Sequence, residues 1–160
     1  MRLTGLGRVA LALGLAALGV LIVVTPDFST QAWRVAPKWM PLRVEISTLF
    51  GAILVACGVG LLIPRTARLT AIALAGVFLV RWLILQVPQV AAHPLNELTW
   101  FDLSENLALI AGAWIVFSMA PGEGRVLANL GNVRLGQVIF ALSLPGFGLW
   151  HFLFVNMTAP

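Results

Sequence analysis

The chain has 160 residues, of which 60% are hydrophobic and 10% charged, and its mean hydropathy is +0.98. A soluble domain carries about 25% charged residues, and a soluble globule of this size could not bury so much apolar surface. The composition therefore predicts a membrane protein. The single cysteine excludes a disulfide framework and a cysteine-rich zinc site, and the net charge of +4 indicates orientation in a membrane rather than nucleic-acid binding.

Long apolar stretches predict five membrane-spanning helices. A hydrocarbon core about 30 Å thick needs about 20 helical residues, and lipid offers the backbone no other hydrogen-bond partners. The predicted fold class is therefore all-α, a polytopic transmembrane helix bundle. The first stretch follows basic residues, as in a signal peptide, but lacks a small-residue cleavage site, which favours a retained helix. The predicted helices cover residues 6–25, 45–63, 67–88, 105–120 and 136–156.

Small residues recur every four positions in three of these helices. Inside lipid, small side chains let helix backbones approach closely, and this approach favours helix association. We therefore expect the small residues to mark close-packed helix faces. The positions concerned are Ala52, Ala56 and Gly60, then Ala67, Ala71 and Ala75, and finally Ala108 and Gly112.

The basic residues between the helices predict the orientation, because Lys and Arg accumulate in cytoplasmic segments. The N-terminal segment and the second and fourth connections together contain six such residues, against three in the first connection. The count predicts a cytoplasmic N-terminus. The six are Arg2, Arg8, Arg65, Arg68, Arg125 and Arg134, and the three are Arg34, Lys38 and Arg43.

The first connection, residues 27–43, contains Trp33, Trp39 and two prolines. Tryptophan suits the depth of lipid headgroups, and proline interrupts a helix. The segment is therefore an interfacial loop or, alternatively, a lid over a cavity between helices. In the second case Arg34 and Lys38 would meet a lipid phosphate or another anionic ligand.

The third connection, residues 89–104, contains His93, Glu97 and Asp102. Ser104 or Asp102 is expected to cap the fourth helix, since acidic and hydroxyl side chains suit a helix N-terminus. Glu105 would then begin that helix and enter the span.

Arg81 is the most informative single residue, because it lies about 9 Å from the predicted outer end of the third helix. A cation at that depth pairs inside the bundle or extends to the headgroups. We expect its guanidinium to meet Glu105 or Glu45, which begin their predicted helices at the same level. The alternative to a structural pair is a ligand site formed by Arg81, Glu45, Glu105, His151 and Arg34. The sequence contains no catalytic or metal-binding motif from which to assign further residues.

Five segments stand out together: DF at residues 27–28, WMP at 39–41, GVGLLIPRTAR at 58–68, LWHFLF at 149–154 and TAP at 158–160. They resemble the DoxX-like family of membrane proteins. The resemblance implies a four-helix membrane bundle. It also implies a connection with redox chemistry, since some members are described as subunits of membrane oxidoreductases, including thiosulfate:quinone oxidoreductase and a thiol-stress complex. It carries over no catalytic residue.

The chain also resembles itself at an offset of 129 residues. This repeat predicts a four-helix unit, residues 1–124, followed by a cytoplasmic connection and a fifth helix, residues 125–160, that begins a second copy. The fifth helix would then lie at the edge of the bundle. The matching positions are Gly7, Val9, Ala12, Leu13 and Gly19 with Gly136, Val138, Ala141, Leu142 and Gly148.

Three functions fit these features. The first is a non-catalytic or accessory subunit that serves a membrane redox complex in a bacterial inner membrane. The second is a quinone-linked oxidoreductase, and the third is a transporter of small molecules or lipids that uses the outer polar residues. The expected partners are the lipid bilayer and other membrane or redox subunits, without nucleic acid. The sequence leaves the cofactor and the question of catalysis open.

Overall fold

The computed structural model describes residues 3–25, 42–94, 96–120 and 131–153. A π-helical turn, Trp82–Gln86, joins two of the helices into one continuous rod, so these residues form five rods and no strand. The predicted all-α fold is confirmed. The helices are α1 (Leu3–Val24), α2 (Arg43–Leu62), α3 (Ala67–Arg81), α4 (Val87–Ala92), α5 (Glu97–Met119) and α6 (Val133–Leu153).

Four of the five rods are long and apolar enough to cross a membrane, which supports an integral membrane protein. They are Gly5–Val24, Val44–Leu62, Ala67–Ala92 and Thr99–Met119. Within the described residues, the apolar part of α6 is the shorter stretch Val133–Gly148. The use of α6 as a fifth span stays a prediction.

Neighbouring rods run antiparallel and pack in chain order. The first rod packs on α2, α2 on α3, α3 on α5 and α5 on α6, whereas α1 and α5 touch only lightly. The buried core lies among the first four rods. We call the end where α1, α3 and α6 begin the Arg68 end, and the end where α2 and α5 begin the Arg81 end. Each end takes its name from an arginine of α3.

Glycines bring α1 and α2 into backbone contact. A Cβ atom on Gly19 would lie 2.5 Å from the carbonyl oxygen of Gly51, and one on Gly58 would lie 2.7 Å from the carbonyl oxygen of Ala12. Any larger side chain at these glycines would push the two backbones apart. The α1–α2 pair is therefore a small-residue interface of the kind that stabilises helices in lipid.

The predicted close-packed face of α2 was partly wrong. Ala52 and Ala56 are exposed, because α2 meets α1 through a different face that contains Gly51 and Gly58. Gly60 does lie in a tight contact, since its Cβ would be 2.6 Å from Thr70 Oγ1 of α3. The positions predicted in α3 are buried as expected: Ala67, Ala71 and Ala75.

The third rod is not the uniform helix that the sequence predicted over residues 67–88. The backbone N–H of Val87 donates to the carbonyl oxygen of Trp82, five residues earlier. Pro88 has no N–H, and in a regular α-helix its ring would clash with the carbonyl four residues before it. A π-turn relieves such a clash by widening the helix. Gln86, the last residue of the π-turn, lies in the interior, where it is 2% exposed.

The fourth rod begins earlier than predicted. Helix α5 starts at Glu97 instead of residue 105, so the connection predicted over residues 89–104 shortens to the residues between Ala92 and Glu97. Asp102 and Ser104 therefore lie inside the helix, and the expectation that one of them caps it was wrong.

Helix α6 packs chiefly on α5. A Cβ on Gly136 would lie 2.5 Å from Ile115 Cγ1, and one on Gly146 would collide with Ser104 Oγ. The repeat partners Gly19 and Gly148 are not packed alike, since no described atom lies within 4 Å of a Cβ built on Gly148. The division into residues 1–124 and 125–160 stays a prediction.

Candidate functional site at the Arg81 end

Arg81 turns into the bundle and makes a hydrogen bond between two rods. Its Nη1 donates to Oδ1 of Asn106 at 3.1 Å, which connects the end of α3 to α5. Asn106 is 3% exposed, so this contact is shielded from lipid and water. A hydrogen bond to a charged group is stronger than one between neutral groups. The contact therefore offsets part of the cost of a cation inside a membrane span.

The orientation of the Asn106 amide is set by a second hydrogen bond. Its Nδ2 donates to the backbone carbonyl of Asp102 at 3.1 Å, one turn earlier in α5. The amide nitrogen therefore points along its own helix, and the amide oxygen is available to the guanidinium of Arg81. Asn106 was not among the residues predicted for this site. The available signal was an amide immediately after Glu105 in an otherwise apolar helix.

An aromatic ring of a third rod completes the surroundings of the guanidinium. The Cζ atom of Arg81 lies 5.4 Å from the ring centroid of Phe50 in α2, within the range of a cation–π interaction. Phe50 is fixed by an edge-to-face contact with Phe78 of α3, with ring centroids 6.3 Å apart. Arg81 thus contacts both α2 and α5. We call Arg81, Asn106, Phe50, Asp102 and Glu105 the Arg81 cluster.

Two carboxylates belong to the same part of α5 as Asn106. Asp102 lies one turn before Asn106, and Glu105 directly precedes it. Glu105 is exposed in the third turn of α5, and Asp102 is half-buried. The pairing of Arg81 with a carboxylate stays a prediction, and the hydrogen bond to Asn106 is an addition that the sequence prediction lacked.

The other predicted site residues are not brought together by the described residues. Glu45 is exposed in the first turn of α2, five residues before Phe50. His151 belongs to α6, but its side chain lies outside what the structure describes. Arg34 lies outside the described residues. The predicted ligand site formed by Arg81, Glu45, Glu105, His151 and Arg34 therefore stays a prediction.

Three polar atoms near the same end of the bundle are buried without a hydrogen-bond partner among the described residues. They are Ser47 Oγ in α2, and Trp82 Nε1 and Gln86 Oε1 in the π-turn. Trp82 also packs against the hydrophobic core. A buried polar group without a partner costs about 1–3 kcal/mol. A bound ligand with a carbonyl or hydroxyl group would remove that cost.

A metal site would need several side chains that can bind one metal ion together. The described residues contain no group of three or more His, Cys, Asp or Glu side chains that could hold a metal ion. His93, which follows α4, is exposed and its backbone carbonyl accepts a hydrogen bond from Thr99 Oγ1 at 3.3 Å. The chemistry that the described Arg81 end offers is therefore hydrogen bonding and charge stabilisation.

Comparisons with protein-family models, with curated proteins and with solved structures find no match to this chain. The resemblance of residues 58–68 and 149–154 to the DoxX-like family therefore stays a prediction.

Proposed function

We propose that the chain is an accessory, non-catalytic membrane subunit of DoxX-like type that serves a membrane redox complex. Four rods with the length and apolarity of membrane spans support the four-helix architecture that the resemblance implies. The observation that carries the proposal is the interhelical hydrogen bond from Arg81 to Asn106. It holds a charge at a defined place inside the bundle.

The contacts of Arg81 suit a fixed scaffold. Asn106 and Phe50 approach the guanidinium from α5 and α2, so one side chain ties three rods together. An arginine at the centre of a span costs about 2.5–3.5 kcal/mol on insertion scales, and these partners offset part of it. A transporter would expose such a group to water during its cycle, whereas the contacts of Arg81 favour one stable arrangement.

The proposal is tested by purifying the tagged chain from its native membranes in mild detergent. We expect it to bring down a stoichiometric partner whose absorption spectrum reveals flavin, haem or an iron–sulfur cluster. The variant Arg81→Met/Asn106→Leu should recover several-fold less partner at an equal amount of folded chain. Arg134→Gln, which removes an exposed arginine at the other end, serves as the control.

Two results would contradict the accessory role. One is a chain that purifies alone from native membranes under conditions that preserve other membrane complexes. The other is substrate flux in proteoliposomes that contain only this chain, which would indicate a transporter.

A second function, quinone-linked redox chemistry, is favoured by the buried polar atoms of Ser47, Trp82 and Gln86. A quinone carbonyl accepts hydrogen bonds, and the hydroxyl of Ser47 and the indole N–H of Trp82 are donors. A quinol hydroxyl donates a hydrogen bond, and Gln86 Oε1 is an acceptor. Their chemistry therefore matches both oxidation states of such a ligand.

The quinone hypothesis is tested by extracting the purified chain with organic solvent and measuring bound quinone. Ser47→Ala and Trp82→Phe should each lower the quinone content several-fold. The matched controls are Thr48→Val and Trp100→Phe, because Thr48 Oγ1 donates to the carbonyl of Val44 and Trp100 Nε1 donates to the carbonyl of Pro94. Equal quinone content in all four variants would contradict the hypothesis.

We further propose that the protein lies in a bacterial inner membrane with a cytoplasmic N-terminus, as the distribution of basic residues predicts. Single cysteines at Ser29 and Asn96, introduced after Cys57→Ala, should then react with an impermeant reagent in intact cells. Labelling of both sites only after permeabilisation would reverse the orientation.

A further inference from the structure

A groove of about 440 Å³ opens between α1 and α5 at the Arg68 end. It exists because α1 packs on α2, and α5 packs on α3 and α6, while α1 and α5 touch only lightly. Glycines keep it wide: no described atom lies within 4 Å of a Cβ built on Gly5 or Gly7. Its walls are apolar, with Leu11 on α1 and Val116 and Met119 on α5.

Arg8 is the charged residue that lines this groove. Its side chain is half-buried, and its Nε is buried without a hydrogen-bond partner among the described residues. A guanidinium in such a place is prepared to donate to an anionic oxygen, and phosphate matches its fork of donors well. The groove thus combines apolar walls with one cationic side chain, that of Arg8.

The charges of the described residues at the Arg68 end agree with an anionic occupant. All acidic residues of the described chain lie at the opposite end, while four arginines of the described chain lie at this one. Basic clefts between helices at a membrane surface favour anionic headgroups. The arginines are Arg8, Arg65, Arg68 and Arg134, and the acidic residues are Glu45, Glu97, Asp102 and Glu105.

We propose that the groove binds one acyl chain of an anionic phospholipid, whose phosphate accepts hydrogen bonds from Arg8. The lipid comes from the leaflet in which α1 begins, because both walls belong to rods that are long enough to span the membrane. The volume of about 440 Å³ lies within the range of small-molecule sites. This inference does not depend on the redox role proposed for the Arg81 end.

The test measures lipid retained by the purified full chain, using native mass spectrometry. The probes are phosphatidylglycerol and phosphatidylcholine with identical acyl chains, added in equal amounts. We expect phosphatidylglycerol to be retained roughly 5- to 10-fold better. Arg8→Gln should remove this preference, whereas Arg134→Gln, an exposed arginine at the same end, should keep it.

The apolar part of the site is tested by filling it. Gly7→Leu should lower the retention of both lipids several-fold, while Gly14→Leu, also in open space on α1 but outside the groove, should leave retention unchanged. Val116→Trp fills the groove from the α5 side as a second variant.

Three results would overturn the inference. Equal retention of the two lipids by the unmodified chain would remove the anionic specificity. An equal loss in Arg134→Gln and Arg8→Gln would reduce the effect to the overall charge of this end. Full retention in both Gly7→Leu and Val116→Trp would show that the lipid binds elsewhere.

Discussion

The α1–α2 pair and the α3–α5 pair hold this bundle together by different means. The first pair is in backbone contact, with a Cβ on Gly19 or Gly51 within 2.9 Å of the other glycine's carbonyl oxygen. The second pair uses long side chains, because Arg81 bonds to Asn106 near one end and Arg68 lies over the ring of Phe117 near the other. The α1–α2 contact depends on the absence of side chains at its glycines. The α3–α5 contact depends on the charged side chains of Arg68 and Arg81.

This difference predicts different responses to substitution. A glycine interface has no room, so added volume must separate the helices. An interface of long polar side chains tolerates changes of volume better, but it loses stability when one partner is removed and the other stays buried. Substitutions in the two pairs should therefore differ both in size and in the way they combine.

Adding a side chain to the glycine pair should have the largest effect. We expect Gly19→Leu to lower the free energy of unfolding by about 3 kcal/mol or more, because the obstacle is the backbone of Gly51. Thermal unfolding in mild detergent measures the loss. Gly14→Leu is the matched control, since a Cβ there meets no described atom within 4 Å. Equal destabilisation by both variants would remove the distinction between the two interfaces.

Removing the buried amide of the π-turn should have a smaller and opposite effect. Gln86→Leu should stabilise the empty protein by about 1 kcal/mol, because Oε1 is buried without a partner among the described residues. Gln137→Leu, which changes an exposed glutamine of α6, should be close to neutral. A marked loss of stability in Gln86→Leu would indicate that this amide has a structural partner.

The smallest effect is expected at the Arg68 end. The Cζ atom of Arg68 lies 5.1 Å from the ring centroid of Phe117, which is fully buried. We expect Arg68→Gln to cost about 0.5–1 kcal/mol more than Arg65→Gln, which changes an exposed arginine in the turn before α3. The measurement is chemical unfolding in detergent at low salt. Equal losses would mean that the ring contact adds no stability.

Much of the fold was predictable because lipid restricts the chain to a few solutions. The first two rods and the start of the third were predicted to within three residues, since apolarity and length determine them. The start of α5 was not predictable in this way. Charged residues such as Asp102 resemble a connection in composition, yet they occupy the first turns of a helix. The π-turn was not predicted either, because apolarity and length do not reveal a local widening of a helix before a proline such as Pro88.

The interfaces were less predictable than the spans. Ala52 and Ala56 have the spacing of a close-packed face, but they lie on an exposed face of α2. Spacing alone does not tell which face of a helix meets a neighbour. The position of Arg81 was a sound indicator of an interior polar contact. Its partner Asn106 was not predicted, because an amide carries no charge that would mark it as a partner for an arginine.

The coupling between Arg81 and Asn106 tests the central claim most directly. A double-mutant cycle with Arg81→Met and Asn106→Leu, measured as free energy of unfolding in detergent, should show a coupling of about 1 kcal/mol. The reference cycle pairs Arg81→Met with Gln137→Leu near the start of α6, at the other end of the bundle, and should show less than about 0.5 kcal/mol. No coupling to Asn106, with Arg81→Met itself neutral, would contradict the account and make Arg81 a residue that extends toward the headgroups.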